Sequence, residues 1–435
     1  MKTPVADFVR RYAEQNTARL HMPGHKGKPL FPLGCERLDI TEVEGTDGLI
    51  EESEANAAAL FGSAATKYAA GGASQCVRAM VYLALLARPA GTPPLLLAAR
   101  NAHKSFLYAA ALCGAEVVWL FGADRASLCA CAVTPEALER ALQSLPAPAA
   151  GVYVTSPDYL GNLADVAGLS AVCEKFNAPL LVDNAHGAYL KFLPRSLHPL
   201  DLGAAACCDS AHKTLPALTG GAYLHIAKTA PAVFGENARA ALDLFGSTSP
   251  SWLTLASLDL CNRALSEGFP LRLAETVSRL ESLRAELRAK GWQVEDSDPL
   301  RLTLRGEGRE IAERLRAGGV EPEYADRDFC VLMASPDNPP TDLSRVAAAL
   351  GQNELPVPPL PSLPLGKCER VRSIREALFA PQERVPTSEA VGRICGAPAV
   401  SCPPAVPAAV AGERVSAEAA ALLEYYGIGE IEVLK

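Results

Sequence analysis

The chain reads as an α/β protein built on a mostly parallel central sheet, with helices on both faces and a smaller α/β unit after it. Two observations predict this. Between about residues 95 and 208, short apolar runs alternate with helical patterns, the signature of strands buried on both faces. In addition, 49% of the 435 residues are hydrophobic, enough for two or three domains with a sizeable core and too many for a disordered chain.

The elements follow in order. The first 50 or so residues read as irregular, with a Pro/Gly-rich motif and several acids. From Glu51 the pattern turns helical, with Ala55, Ala59 and Leu60 on one face. Gly71-Gly72-Ala73-Ser74 marks a turn into a helix through Val77, Met80, Val81 and Leu85. Strands are predicted at 95–98, 116–120, 151–154, 180–182 and 204–208. Helices are predicted at 106–113, at 135–142 with Thr134 as N-cap, and at 165–176. Two long helices, 252–265 and 271–290, connect to a small α/β unit with strands 301–305 and 329–333 and helices 311–317 and 342–350. A Pro-rich linker at 356–364 precedes a last module from about 371 to 435. The expected organisation is an N-terminal arm 1–50, a large domain 51–290, a small domain 291–355, and a linker with C-terminal module 356–435.

Several function classes are disfavoured. A net charge of −8 leaves no basic field for nucleic acid. Residues 1–11 carry charges and no signal-peptide core, and the apolar stretches at 79–87 and 93–99 are too short to span a bilayer. A soluble, cytoplasmic protein with no membrane partner is expected. The thirteen cysteines lack zinc-site spacing: Cys129-Ala130-Cys131 and Cys207-Cys208 are not C-x₂-C pairs, and most sit in apolar context as reduced core thiols. His21 and His25 are four apart, but Pro23-Gly24 between them opposes a helix, so a rigid loop is expected rather than a metal site. No metal is expected anywhere.

The chemistry concentrates at strand ends, where open α/β sheets bind ligands. Lys213 lies in Asp209-Ser210-Ala211-His212-Lys213-Thr214, and Asp183 ends the apolar run before Asn184-Ala185-His186-Gly187. A lysine able to form a Schiff base and an acid able to keep a pyridine nitrogen protonated are the two anchors of pyridoxal 5'-phosphate (PLP). Each residue alone has a plainer reading, a surface lysine or a turn aspartate; the pair, with His186, Ser210 and His212 around it, favours the cofactor. Ala73, Ser74 and Gln75 open a helix after two glycines and offer phosphate donors, the alternative being an ordinary Gly-rich turn with a serine cap. Ser210 and His212 offer further donors. His103, after another strand, is placed to stack on the ring or is a surface-loop histidine. Ser156, in a Pro/Gly-shaped loop, either reaches the cofactor or serves the loop.

Taken together, the motifs resemble the Orn/Lys/Arg decarboxylase family, PLP enzymes of the aspartate aminotransferase fold (fold type I). The resemblance is carried by His21-Met22-Pro23-Gly24-His25-Lys26-Gly27, Asp39-Ile40-Thr41-Glu42-Val43, Arg100-Asn101-Ala102-His103-Lys104-Ser105, Thr155-Ser156-Pro157-Asp158-Tyr159, Val182 to Gly187, Ser210 to Thr214 and Ser247-Thr248-Ser249-Pro250-Ser251, in family order. More faintly, Arg375-Glu376-Ala377, Cys402 to Pro407 and Gly412-Glu413 are similar to the family's C-terminal domain. The family's large N-terminal wing has no counterpart, which suggests the short form.

The resemblance implies that Lys213 carries the cofactor, Asp183 pairs with its N1, His103 stacks on one ring face and Ala185 lies against the other. It implies that Ser74, Ser210 and His212 bind the phosphate, and that Thr248 reaches the phosphate of a partner subunit in a homodimer or higher assembly with shared active sites. Four departures stand out: Asn184 replaces the usual Glu of the Asp-Glu-Ala-His motif, Gly71 stands where many members have Asn, the segment between Asp47 and Ile50 is short, and Cys402 and Ala405 replace Tyr and Gly.

The expected activity is decarboxylation of a basic amino acid, arginine before lysine before ornithine, giving agmatine or a diamine for polyamine biosynthesis. Lys213, Asp183, His103, His212 and His186 are the catalytic candidates. Glu42, Glu44, Asp47 and Glu376 are candidates to read the distal cation. Another PLP reaction, such as aminotransfer or aldol cleavage, and a PLP-binding regulatory protein without turnover are the alternatives.

Overall fold

A computed structural model of the chain describes residues 1–15, 35–122, 130–357, 359, 367–400 and 406–435, with only the backbone at 399–400. The His21–Gly27 motif, Cys129, Cys402 and Ala405 lie outside the described residues.

The chain opens with α1 (Pro4–Glu14), which has Pro at its start, Asp7 in its first turn and a buried face of Val5, Val9 and Tyr12. The opening segment is therefore not irregular throughout, and the spacing of those three side chains is the helical signal that composition obscures. Next come α2 (Leu49–Phe61), which ends at left-handed Gly62, then β1 (Ala65–Ala69) and α3 (Ala73–Ala87). The expected alternation follows: β2 (Leu95–Ala99), α4 (Lys104–Cys113), β3 (Glu116–Leu120), α5 (Pro135–Gln143), β4 (Gly151–Thr155), α6 (Val166–Lys175) and β5 (Leu180–Asp183). Thr134 caps α5 by accepting from the Ala137 N–H, and Asp165 caps α6 by accepting from Gly168. Then β6 (Ala206–Asp209), the one-turn α7 (Ala211–Thr214), β7 (Ala222–Ile226), α8 (Ala232–Leu244), α9 (Trp252–Ser266) and α10 (Phe269–Ala289) complete the first two-thirds.

The remainder contains β8 (Gln293–Val294), β9 (Arg301–Arg305), α11 (Gly308–Ala317), β10 (Tyr324–Ala325), β11 (Phe329–Met333) and α12 (Pro340–Leu350). The last module holds β12 (Glu369–Arg370), α13 (Ile374–Leu378), β13 (Gln382–Pro386), β14 (Ala399–Val400), β15 (Ala409–Val410), β16 (Glu413–Arg414), α14 (Ala417–Tyr425) and β17 (Glu430–Leu434). Among the described residues, no helix is long and apolar enough to cross a membrane.

Two compact units divide the chain, Met1–Ala87 with Pro179–Leu271, and Arg88–Ala178 with Arg272–Lys435. In the first, β5 and β6 pair in parallel, while β7 runs antiparallel to both β6 and β1. Sequence reading found the parallel pair and missed the antiparallel strands. Helix α3, buried along most of its length, packs on β6 and β7 and against α8.

In the second unit β2 pairs in parallel with both β3 and β4. Its small antiparallel sheet, β10-β11-β9-β8, is packed with α11 and α12 around Leu302, Leu304, Ile311, Leu315, Cys330 and Val346.

One ion pair ties the C-terminal module into this second unit. Arg100, fully buried just after β2, donates from both terminal nitrogens to the two oxygens of Glu413 at 2.7 Å. Its Nε donates to the Pro407 carbonyl at 2.9 Å, and its guanidinium lies 5.0 Å from the Trp119 ring centroid. The Val410 N–H also donates to Glu413. A bidentate guanidinium–carboxylate pair with the remaining lone pairs satisfied is the arrangement that tolerates burial. Arg375 adds a second tie, donating to the Ala111 carbonyl at 2.8 Å near the C-terminus of α4.

Candidate functional site

Most of the predicted site residues belong to the first unit. The parallel register sets Asp183 beside Cys208, so the end of β5 lies next to the segment that leads from β6 into Ser210 and Lys213. Asp183 is 4% exposed; its Oδ1 accepts from the Ala185 N–H at 3.2 Å and from the Cys208 thiol at 3.5 Å. Burial pushes that thiol well above its usual range, so it stays protonated and donates.

Lys213 sits on α7, and its Nζ lies 2.8 Å from Nε2 of the buried His186. Ser210 is the N-cap of α7 and is buried, with its hydroxyl not used for capping. His212 donates from Nδ1 to the Gly221 carbonyl at 3.1 Å. Ala185 is half-buried, and Thr248 is exposed in the segment before α9.

The start of α3 is shaped by glycines. Gly72 has φ +73°, and its N–H donates to Gly220 O at 2.8 Å. Gly220 has φ +91°, and a Cβ there would come within 3.1 Å of Ala70 O. Both positions need glycine. The half-buried Ser74 and buried Ala73 follow in the first turn of a fifteen-residue helix, where unpaired N–H groups favour an anion. Gln75 is otherwise engaged: its Oε1 accepts from the Gly71 N–H at 3.0 Å, and its Nε2 donates to Leu242 O at 2.9 Å.

A lysine amine beside an imidazole, a buried carboxylate at the neighbouring strand end and a glycine-shaped helix N-terminus form a donor set that fits PLP.

The second unit holds the other two candidates. His103 is exposed and caps α4; its Nδ1 accepts from the Ser105 N–H at 3.2 Å, which assigns the proton of the neutral ring to Nε2. Ser156 is buried, with its hydroxyl accepting from the Ala164 N–H at 3.0 Å, and the Ser156–Pro157 peptide is cis. The nearby Asp158 carboxyl is pushed up to about 6 by burial, although both its oxygens accept from Asn162.

The acids proposed for a distal cation are divided between the two units. Glu42, Glu44 and Asp47 are exposed in the first unit. Glu376 belongs to a capping box on α13, where Ser373 donates to its carboxylate; the Ser373 backbone N–H holds it below the usual range. That bond gives Glu376 a local structural task.

Sequence reasoning missed one cluster entirely. Asn184, Asp209, His198 and His225 are all fully buried. Asn184 Nδ2 donates to Asp209 Oδ1 at 2.7 Å, and Nε2 of His198 and of His225 lie 3.0 and 3.2 Å from Asp209 Oδ2. Burial alone would raise the Asp209 carboxyl, but the two imidazoles outweigh it and hold the group well below its usual range. The cluster explains the departure at position 184: a glutamate there would face a second buried carboxylate, whereas an asparagine donates to it. His198, Cys207 and Asp209 are close enough to suggest metal ligands, but hydrogen bonds already account for the imidazole geometry: His198 Nδ1 also accepts from the Leu200 N–H at 3.4 Å. A buried carboxylate at the end of an apolar strand was the available sequence signal; nothing local pointed to the two histidines.

Known proteins share this chain's sequence pattern and its fold. Residues 33–305 match the model of the Orn/Lys/Arg decarboxylase family, major domain. The chain is 28% identical over 465 residues to the uncharacterized protein YaaO of Bacillus subtilis (strain 168), covering 96% of the chain and 93% of that protein. It is 27% identical over 468 residues to an arginine decarboxylase of the same organism, covering 96% and 92%. The solved structure of the Francisella novicida lysine decarboxylase LdcF superposes with a TM-score of 0.81 at 15% identity, covering 100% of this chain and 81% of that one.

Proposed function

Because the chain belongs to the Orn/Lys/Arg decarboxylase family, we propose that it acts on arginine in preference to lysine and ornithine, with PLP anchored by Lys213 and Asp183. Membership makes it a PLP-dependent amino-acid decarboxylase of fold type I, acting on a basic amino acid. The matches to arginine decarboxylases support the choice of arginine. The product would be agmatine, a polyamine precursor.

The observation that carries the reading of the site is the Lys213–His186 contact beside the buried Asp183. When bound, the cofactor supplies a ring that takes up the electron pair left as CO₂ departs. Asp183 holds the ring nitrogen protonated. Ser74, Ser210 and His212, with the first N–H groups of α3, bind the phosphate. Lys213 or His186 would protonate Cα as the electron pair returns from the ring, and His186, 2.8 Å from Lys213 Nζ, would pass a proton to that amine if Lys213 is the donor. Ala185 faces the ring, and His103 keeps the stacking role that the resemblance implies. Thr248 serves the partner subunit's site in a homodimer or larger assembly. A cytoplasmic location and the domain divisions at 50, 290 and 355 are part of the same proposal.

The test is to load the purified protein with PLP and follow CO₂ release from arginine, lysine and ornithine separately while recording the visible spectrum. CO₂ from arginine alone or fastest supports the reading. A keto acid or aldehyde would move the chain to another PLP reaction, and a lysine-bound band without turnover would make it a non-catalytic PLP binder. Lys213→Ala should abolish the band.

A further inference from the structure

Behind the expected anchors lies the buried cluster of Asp209, His198 and His225, which the chemistry above does not use. Its members come from three segments. Asp209 ends β6, His225 faces Cys207 across the β6–β7 ladder, and His198 precedes Pro199 in a connecting loop. The outer nitrogens are fixed as well: His225 Nδ1 lies 2.8 Å from the Thr66 hydroxyl, which lies 2.8 Å from that of Ser63. Phe61 packs over both rings, with centroids 4.3 Å from His225 and 5.5 Å from His198. Neutral rings with their protons on Nε2 satisfy every one of these bonds.

The two oxygens of Asp209 serve different neighbours. Oδ2 takes both imidazoles, while Oδ1 takes Asn184. Asn184 follows Asp183, and Asp209 precedes Ser210, so the 2.7 Å bond ties the strand end bearing one anchor to the strand end leading to the other. An uncharged pair would have sufficed for a tie alone, and burying a carboxylate is costly. The charge therefore calls for a role. Asp183 stands beside Cys208 in the β5–β6 register and Asp209 is the next residue of β6, so the second anion lies close to the first.

We infer that Asp209 is a positioning residue of the cofactor site: through Asn184 it fixes Asp183 relative to Ser210 and Lys213, and its charge reinforces that of Asp183 in keeping the cofactor's ring nitrogen protonated. The inference rests on the reading of Asp183 and Lys213 as cofactor anchors.

Three proteins test it: wild type, D209N and the swap N184D/D209N. In D209N the amide of Asn184 turns so that its oxygen accepts from the new amide, and the charge is lost. In the swap, the amide at 209 donates to the carboxylate at 184 while its oxygen accepts from both imidazoles. Every hydrogen bond is then kept and the charge moves by one hydrogen-bond length. Each apoprotein is titrated with PLP by visible absorbance, the pH midpoint of the lysine-bound band is recorded, and thermal melting reports folding.

D209N is expected to bind PLP about tenfold or more weakly, and the swap to recover to within about threefold of wild type. The midpoint in D209N moves down, because a neighbouring anion no longer favours the protonated form. Wild-type affinity and midpoint in D209N would overturn the inference whatever its melting temperature. If D209N does not fold, the swap decides: wild-type-like binding supports the inference, and weak binding by a folded swap overturns it. A wild-type protein with no lysine-bound band would sink the reading of Lys213 and Asp183 together with everything built on it.

Discussion

Glu413 and Asp209, the one in the second unit and the other in the first, are both buried carboxylates that tie distant segments, and the two are held differently. Glu413 faces a guanidinium that stays charged across the working pH range, in a two-pronged pair reinforced by a backbone N–H. Asp209 faces two imidazoles and an amide, donors that need carry no charge. The first is a balanced pair, so its integrity depends on both partners being present. The second is held by three hydrogen-bond donors with no guanidinium or ammonium among them, so it responds to protons. A buried acid that only ties is best matched by arginine; one that also acts electrostatically is better held by donors without a fixed charge.

The comparison can be broken at several points. The largest loss is expected from Arg100→Met, which leaves Glu413 buried and alone: about 3–5 kcal/mol in chemical denaturation, much of it regained in R100M/E413L. Recovery in the double variant marks a balanced pair; its absence would mean that Arg100 acts mainly through Trp119 and the Pro407 carbonyl. A smaller loss, about 1–3 kcal/mol, is expected from Asp209→Ala, which strands two imidazole N–H groups and the Asn184 amide.

Third comes pH. Burial pushes the His225 ring below its ordinary value of 6.5, so below that pH the unfolded state binds the extra proton more readily. Stability from this group is full above about pH 6.5 and declines as pH falls, by at most about 1.4 kcal/mol per pH unit for one proton. Asp209, whose carboxyl is pushed down, begins to lose its contribution as pH falls through the ordinary carboxylate value of 3.8 and has lost it once pH passes its own lowered value. His225→Gln should flatten the slope below pH 6.5 in pH-dependent melting, and R100M/E413L should leave it intact. The smallest effect is expected from Glu376→Gln, which should leave KM for arginine unchanged because that acid caps α13. A large rise in KM would return Glu376 to the substrate pocket.

The sequence disclosed the parts of this arrangement that are local. Apolar runs such as Leu95 to Ala99, buried on both sides, announce themselves, and β2, β3, β4 and β5 lie where the pattern put them. Lys213 and Asp183 were visible because each follows such a run. The antiparallel strands were not: β1 carries Lys67 in its centre, and β7 carries His225, which breaks the apolar signal although every residue of β7 is buried. The cluster around Asp209 was hidden for a related reason. Residues 198, 209 and 225 meet only once β6 and β7 have paired, and a single histidine in a sequence carries no information about its partner. Helix α1 was overlooked in a segment dominated by Pro, Gly and acids, although Val5, Val9 and Tyr12 had the right spacing.

Gln75 links this fold to the sequences it can tolerate. Its amide bridges the Gly71 N–H and the Leu242 carbonyl, and a Cβ at Gly246 would fall 2.2 Å from its Nε2. Any side chain at 246 must therefore displace an amide pinned at both ends. Positions 75 and 246 are not free to drift separately: a chain that gains a side chain at 246 should shorten or re-aim the one at 75, so lineages carrying this fold should change the two as a pair or keep both.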